Sequence, residues 1–466
     1  MTIICDDKVA FNEIFDKYLF SKIEICNKVR EKLNFSREIY ENEASKSKIY
    51  GYSTSLGALI NKEEKNLDYD RERIILMEHD TSIGKPAPKI FSKITMLVRL
   101  IQLSKGNSPI RSIIIDRLKD SINYGIIPVV PILGSVGASG DLSPLARIFR
   151  CIIYGEGSSY YNDSIIDCNH ALKQNGLNTL DLKFGEALAL INSNAWSTGL
   201  SLINTYLAEN LLNISIDVIK ESLKLTGCNN QHFSKAVYET KLQKGVKKVI
   251  DVLNNPCEKT PRLQDPYSIR CVPQIYGAVF DLIDYAKSIL ENEANSTSDN
   301  PIVYDNTVYH ACQFHAIYSA LISDFLKTAL ISVMNSIERR ISQMLDNKIN
   351  NKSEFLVKEK SVVGAMIYQY TAAELSAYSR GISNPMSSHS IPTSGTQEDV
   401  VSMAPNSSLE LSRINGLLAK LISIEKAINM FDLEKNLPDP RLQLNEAYNN
   451  IIKRLENYKE LLEYFY

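Results

Sequence analysis

No two of the eight cysteines stand in a Cys-x-x-Cys arrangement, which removes the usual spacing for a structural zinc site or a thioredoxin-type dithiol. Cys5, Cys26, Cys151, Cys168, Cys228, Cys257, Cys271 and Cys312 are widely scattered, so reduced thiols in a cytoplasmic protein are expected, with no metal site. An excess of either charge is also missing. Lys and Arg total 52 against 54 Asp and Glu, a net charge of −2, and the basic residues are dispersed rather than clustered. That balance argues against nucleic acid or an anionic membrane as partner and favours a small-molecule substrate. The N-terminus lacks the basic and apolar regions of a secretory signal. The charge-free stretch at residues 124–140 contains Pro128, Pro131 and several glycines, and broken backbone of that kind is excluded from lipid. Internal repeats and low-complexity tracts are absent.

What remains is an average globular composition, 44% apolar and 23% charged, in 466 residues, enough for one large domain or two to three smaller ones. Most of the chain reads as helix. Over residues 191–225 and 314–345 apolar residues recur at spacings of three and four, without proline and with abundant Ala, Leu, Glu and Lys. Helices of 30 residues span roughly 45 Å, more than an ordinary compact domain needs, and a long-helix bundle is their natural packing. Residues 442–466 also show a helical pattern. The expected organisation is a mixed N-terminal region, residues 1–190, followed by a long-helix bundle, residues 191–466. Gly- and Pro-rich breaks fall at residues 50–57, 84–88, 128–144, 261–273, 298–301 and 383–394, and these irregular segments carry the unusual polar residues.

The segment Gly134-Ser135-Val136-Gly137-Ala138-Ser139-Gly140-Asp141-Leu142-Ser143-Pro144-Leu145 is the most specific of them. As a phosphate cradle it lacks the Lys-Ser/Thr of a P-loop, and no βαβ pattern surrounds it. A plain tight turn is one reading. In the other, the unhindered amide nitrogen of Gly140 attacks the carbonyl of Ala138, and loss of water from the ring and from Ser139 leaves an electrophilic methylidene-imidazolone (MIO).

The stretch closely resembles the MIO-forming histidine and aromatic amino acid ammonia-lyases, and further motifs follow in the same order. Residues 50–57, Tyr-Gly-Tyr-Ser-Thr-Ser-Leu-Gly, resemble the family's YGxNTGFG loop, and residues 186–192 its EGLALLN segment. Residues 264–271 nearly reproduce QDPYSLRC of the histidine-type enzymes. Residues 293–301 match EANxxSDNP, residues 313–316 approximate NFHA, and residues 390–399 match SIPTSxxQED. The resemblance implies the long-helix bundle of the ammonia-lyase/fumarase type, a homotetramer with sites shared among three subunits, and no dissociable cofactor. It implies that Ala138, Ser139 and Gly140 form the MIO, that Tyr50 is the catalytic base, and that Arg270 and Asn300 grip the substrate carboxylate. Tyr267 and Asn192 are expected around the prosthetic group, with Gln264 on the same wall and Phe314 packed near it. Glu78-His79 corresponds to the pair that contacts the substrate ring, and His79 with Glu398 favours histidine. Tyrosine or phenylalanine elimination and 2,3-aminomutase chemistry use the same residues and stay open, as does an inactive helical scaffold. Departures mark a divergent member: Ser53-Thr54-Ser55-Leu56 in the Tyr50 loop, Glu78 beside His79, Gly185 for the usual Lys, Ser193-Asn194 for Gly-Thr, and Val400 where histidine-type enzymes usually carry His.

Overall fold

The computed structural model describes residues 1–61, 70–257, 262–434 and 437–466. Four long helices dominate: Ala195–Thr226, Val272–Ala294, Ile317–Leu345 and Ala404–Leu433, of 32, 23, 29 and 30 residues. The first and third agree with the long periodic stretches of the sequence. The first starts four residues later than residue 191 because Asn192, with φ −81° and ψ 65°, leaves the helical region. It stops before Gly227, whose φ of +62° supplies the left-handed turn that commonly ends a helix. The Ile317–Leu345 helix is long and apolar enough to cross a membrane, with a mean hydropathy of 1.4, yet 61% of that window is buried inside the protein.

The chain forms two compact units. The first comprises Met1–Ile203, Lys287–Ile322 and Pro385–Ser408. It holds all the described strands, each short. Thr2–Ile4 pairs in parallel with Ile23–Ile25, and Ile83–Pro86 runs antiparallel to Pro131–Leu133. Ser158–Tyr161 is the centre of a three-stranded sheet, between Ile127–Pro128 and Ser164–Asp167. Ile302–Tyr304 and Thr307–Tyr309 form a hairpin whose tip, Asp305-Asn306, has φ of +44° and +59°, the left-handed pair a two-residue turn requires. The unit's interior carries paired charge as well as apolar side chains. Arg99 and Asp299, both fully buried, meet at 2.5 Å, and Asp299 also accepts from Ser108. Phe91 packs edge-on to Trp196 nearby in the core.

The second unit comprises Asn204–Ala286, Ser323–Asn384 and Leu409–Tyr466, and its described residues are helical with irregular connections. Its core centres on a fully buried Arg340–Glu425 pair at 2.6 Å, which Ser222 completes by donating to Glu425 at 2.7 Å. Removing one partner of such a pair leaves an unpaired buried charge, which is why both persist inside the unit.

The cysteines correct the sequence reading. Three pairs are joined as disulfides, Cys5–Cys26, Cys151–Cys168 and Cys228–Cys257, each with Cα atoms 5.4 Å apart, while Cys271 and Cys312 are free. Separations of 21, 17 and 29 residues give no local pattern. Strand pairing creates the first contact: the register sets Ile4 beside Ile25, so the next residue of each strand is a cysteine.

Candidate active site

The first unit builds its site around the turn at Ala138-Ser139-Gly140. The strand Pro131–Leu133 delivers the chain to this turn and the helix Leu142–Phe149 takes it away. Across Ser139 the backbone reverses, so that Ala138 and Gly140 face each other in an isolated antiparallel bridge. Gly140 has φ +78°, and a Cβ there would lie 2.5–2.7 Å from the backbone of Ser193. No other residue fits. The turn is held from two sides: Asp141 N–H donates to Ser193 O at 2.7 Å, and Ser402 Oγ donates to Gly137 O at 2.8 Å.

Asp141 does not cap its helix. Its carboxylate accepts from Ser135 Oγ at 2.9 Å, Ser197 Oγ at 2.8 Å and Ser197 N–H at 2.7 Å. Complete burial pushes its pKa up to about 6, with the three donors opposing the rise. Behind Ser193 runs a polar chain: Ser193 Oγ to Gln102, Gln102 to Asn194, and Asn194 to Glu293, whose carboxyl burial raises to about 7.

Ser139 presents two groups, and each has its own partner. Asn192, almost fully buried, donates from Nδ2 to Ser139 O at 2.7 Å, while its Oδ1 is buried with no hydrogen-bond partner. The Ser139 hydroxyl donates to Glu398. Thr393 Oγ1 holds the second oxygen of that carboxylate at 2.5 Å.

Tyr50 lies on the loop that begins after Ile49. Gly51 O and Thr54 O accept from the buried Arg71 guanidinium at 3.0 Å each, which fixes the loop. The Tyr50 hydroxyl accepts from Gly57 N–H at 2.8 Å. Burial raises its pKa above the ordinary 10, the Gly57 N–H opposes that, and the charge of Glu398 adds to it.

Tyr50, Ala138, Ser139, Asn300, Phe314 and Glu398 line one cavity of about 640 Å³. Asn300 is set by the Arg99–Asp299 pair at the preceding residue, and Ala311 N–H occupies its Oδ1 at 2.9 Å. Tyr267, Arg270 and Gln264 belong to the second unit, where Tyr267 is 69% exposed and the Arg270 guanidinium stacks on its ring at 4.7 Å. Glu78 and His79 end the helix Asp70–His79 outside the cavity lining, and His79 Nδ1 lies 2.7 Å from Ile75 O.

The sequence model of the aromatic amino acid lyases matches residues 10–453. The chain belongs to the aromatic amino acid lyase family. It is an enzyme of the carbon–nitrogen lyase class. The probable histidine ammonia-lyase of Thermoplasma volcanium is 34% identical to it over 449 residues, 93% of this chain and 90% of that one. The histidine ammonia-lyase of Caldanaerobacter subterraneus subsp. tengcongensis is 32% identical, across 87% of this chain and 82% of its own. The fold is that of ergothionase from Treponema denticola, with a TM-score of 0.90 at 22% identity, covering 99% of this chain and 100% of that chain.

This lyase also places residues in the cavity that sequence reasoning passed over, among them Lys48, His310, Cys312, His315 and Asp399. His310 follows the hairpin and accepts Tyr50 N–H on Nε2 at 3.1 Å, tying the hairpin to the Tyr50 loop. Burial lowers its pKa, the direction that favours the neutral ring able to accept. Its only sequence signal is a position four residues before Phe314. Among the described residues no cluster of His, Cys, Asp and Glu is arranged to hold a metal.

Proposed function

We propose that this chain eliminates ammonia from L-histidine, giving urocanate, with an MIO formed autocatalytically from Ala138, Ser139 and Gly140. The observation that carries the reading is the reversed turn itself, with Ser139, Tyr50 and Glu398 lining one cavity. Two features fit the group to this place: the backbone cradle against Gly140 that a Cβ would fill, and the buried, unpartnered Oδ1 of Asn192 beside Ser139. The MIO supplies an electrophilic alkene at which an amino group becomes a better leaving group.

The side chains do the rest. Tyr50 takes the β-proton as the phenolate. Asn192 holds the carbonyl of Ser139 and steadies charge that develops there. The Asn300 amide orients the substrate carboxylate, and Arg270 of a neighbouring copy completes the grip, with Tyr267 beside it. The exposure of Tyr267, and the place of both Tyr267 and Arg270 outside the cavity lining, support a homotetramer with shared sites. Glu398 receives the ring N–H of histidine. A cationic ring on Glu398 also offsets the negative charge that raises the Tyr50 pKa, so the substrate favours ionisation of its own base. The histidine ammonia-lyase names of the two relatives support the same substrate.

Purified protein incubated with each of the twenty amino acids tests this, read by ultraviolet product formation and released ammonia. Histidine alone is turned over, giving urocanate. Turnover of tyrosine or phenylalanine in its place, a β-amino acid product, or no turnover at all would contradict the proposal.

A further inference from the structure

We propose that Glu398 acts before any substrate arrives, as the acid that removes the Ser139 hydroxyl when the prosthetic group is made. The inference rests on the MIO reading above and adds the residue that matures it.

The chain as synthesised still carries the Ser139 hydroxyl, and that hydroxyl is bound. It sits on one oxygen of Glu398 while Thr393 holds the other at 2.5 Å. Backbone bonds close the same segment on itself, Thr393 N–H to Glu398 O at 3.0 Å and Glu398 N–H to Thr393 O at 3.3 Å. The carboxyl is therefore delivered to Ser139 by a short, closed loop. Asp141, next to Gly140 in the chain, is engaged elsewhere, because it spends its oxygens on Ser135 and Ser197. Asn192 is committed to the Ser139 carbonyl. Hydroxide is a poor leaving group, and only a group in contact with Oγ can protonate it as it leaves.

Ring closure joins Gly140 N to the Ala138 carbonyl carbon and expels that oxygen as water, with the amide protons of Ser139 and Gly140. In the second dehydration the Glu398 carboxylate takes the proton from Ser139 Cα, and the electron pair of that Cα–H bond forms the double bond to Cβ. Glu398 passes the proton to Ser139 Oγ as the Cβ–Oγ bond breaks. One further water leaves, carrying the Cα proton, and the carboxylate ends as it began. No oxidant or reductant takes part.

Intact-mass measurement of full-length wild type, Glu398→Gln, Glu398→Ala and Thr393→Val reads maturation without reference to activity. With its disulfides reduced, wild type is lighter than its sequence by two waters. Both Glu398 variants keep the Ser139 hydroxyl and lose one water at most, the second loss slowing by at least about 10². Thr393→Val retains the carboxyl but loosens it, and reaches the two-water loss more slowly after synthesis. If both Glu398 variants lose two waters as completely as wild type, the proposal is overturned while the MIO reading stands. If wild type keeps its full mass, both fall. Should the Glu398 variants fail to fold, the Thr393→Val time course decides, and a wild-type rate there overturns the proposal.

Discussion

Replacing Tyr50 by phenylalanine lowers kcat for ammonia release by about 10²–10⁴ and leaves the two-water mass loss in place. The ring is retained in shape, so the loop held by Arg71 keeps its form. What disappears is the hydroxyl that accepts Gly57 N–H, on a residue that lines the same cavity as Ser139. The pH profile makes the test specific. Burial, with Glu398 adding to it, holds the Tyr50 pKa above 10, so the phenolate is a minor species at neutral pH. Its population rises with pH, and the wild-type kcat must rise with it across the alkaline side of neutrality. The variant loses that rise. A Tyr50→Phe enzyme with wild-type kcat and an unchanged profile would remove Tyr50 from the mechanism.

Gly140→Ala is expected to be the most damaging single methyl in the first unit. Two effects combine. The residue has φ +78°, which any side chain resists, and the new Cβ would meet Ser193 O, N and C at 2.5–2.7 Å. Backbone cannot swing aside as a flexible side chain does. Relief requires moving the 192–194 segment, which breaks the Asp141–Ser193 hydrogen bond and shifts Asn192 from Ser139. The loss of stability should exceed about 4 kcal/mol, the range reached when a strained position and a packing clash coincide. Whatever protein folds should keep its full mass, since the Gly140 nitrogen is no longer presented to the Ala138 carbonyl. Gly125→Ala is the control: φ is +72°, but open space surrounds the new Cβ, so only the conformational cost of about 1 kcal/mol applies. Thermal midpoints of the two variants separate strain from clash. Equal midpoints would mean that Ser193 does not constrain the turn.

Much of this was legible in the sequence because it is local. The period of the long helices is a property of neighbouring residues, and so is the Ala138-Ser139-Gly140 motif. Tyr50, Asn300, Phe314 and Glu398 each sit inside a short ordered segment, and the cavity gathers them with Ala138 and Ser139. What stayed hidden depends on register and on distant pairing. Cys5 and Cys26 meet only because one parallel strand register sets Ile4 beside Ile25. His310 matters through a bond to the backbone of Tyr50, 260 residues away, and a lone histidine after a strand gives no sign of that. The partners of Ser139 are likewise 53 and 259 residues distant. Motif order could suggest that these segments converge, but not which atom of Ser139 each one holds. The family resemblance pointed to Glu78, His79 and Glu398 together; Glu398 lines the cavity, and the other two lie outside its lining.

The central claim is chemical, and one measurement reaches it without a substrate. The intact mass of the purified chain, compared with that of Ser139→Ala, reports whether the turn closes on itself. With disulfides reduced, wild type should be lighter than its sequence by two waters, and Ser139→Ala should lack the side-chain dehydration. A wild-type chain at its full unmodified mass would contradict the account.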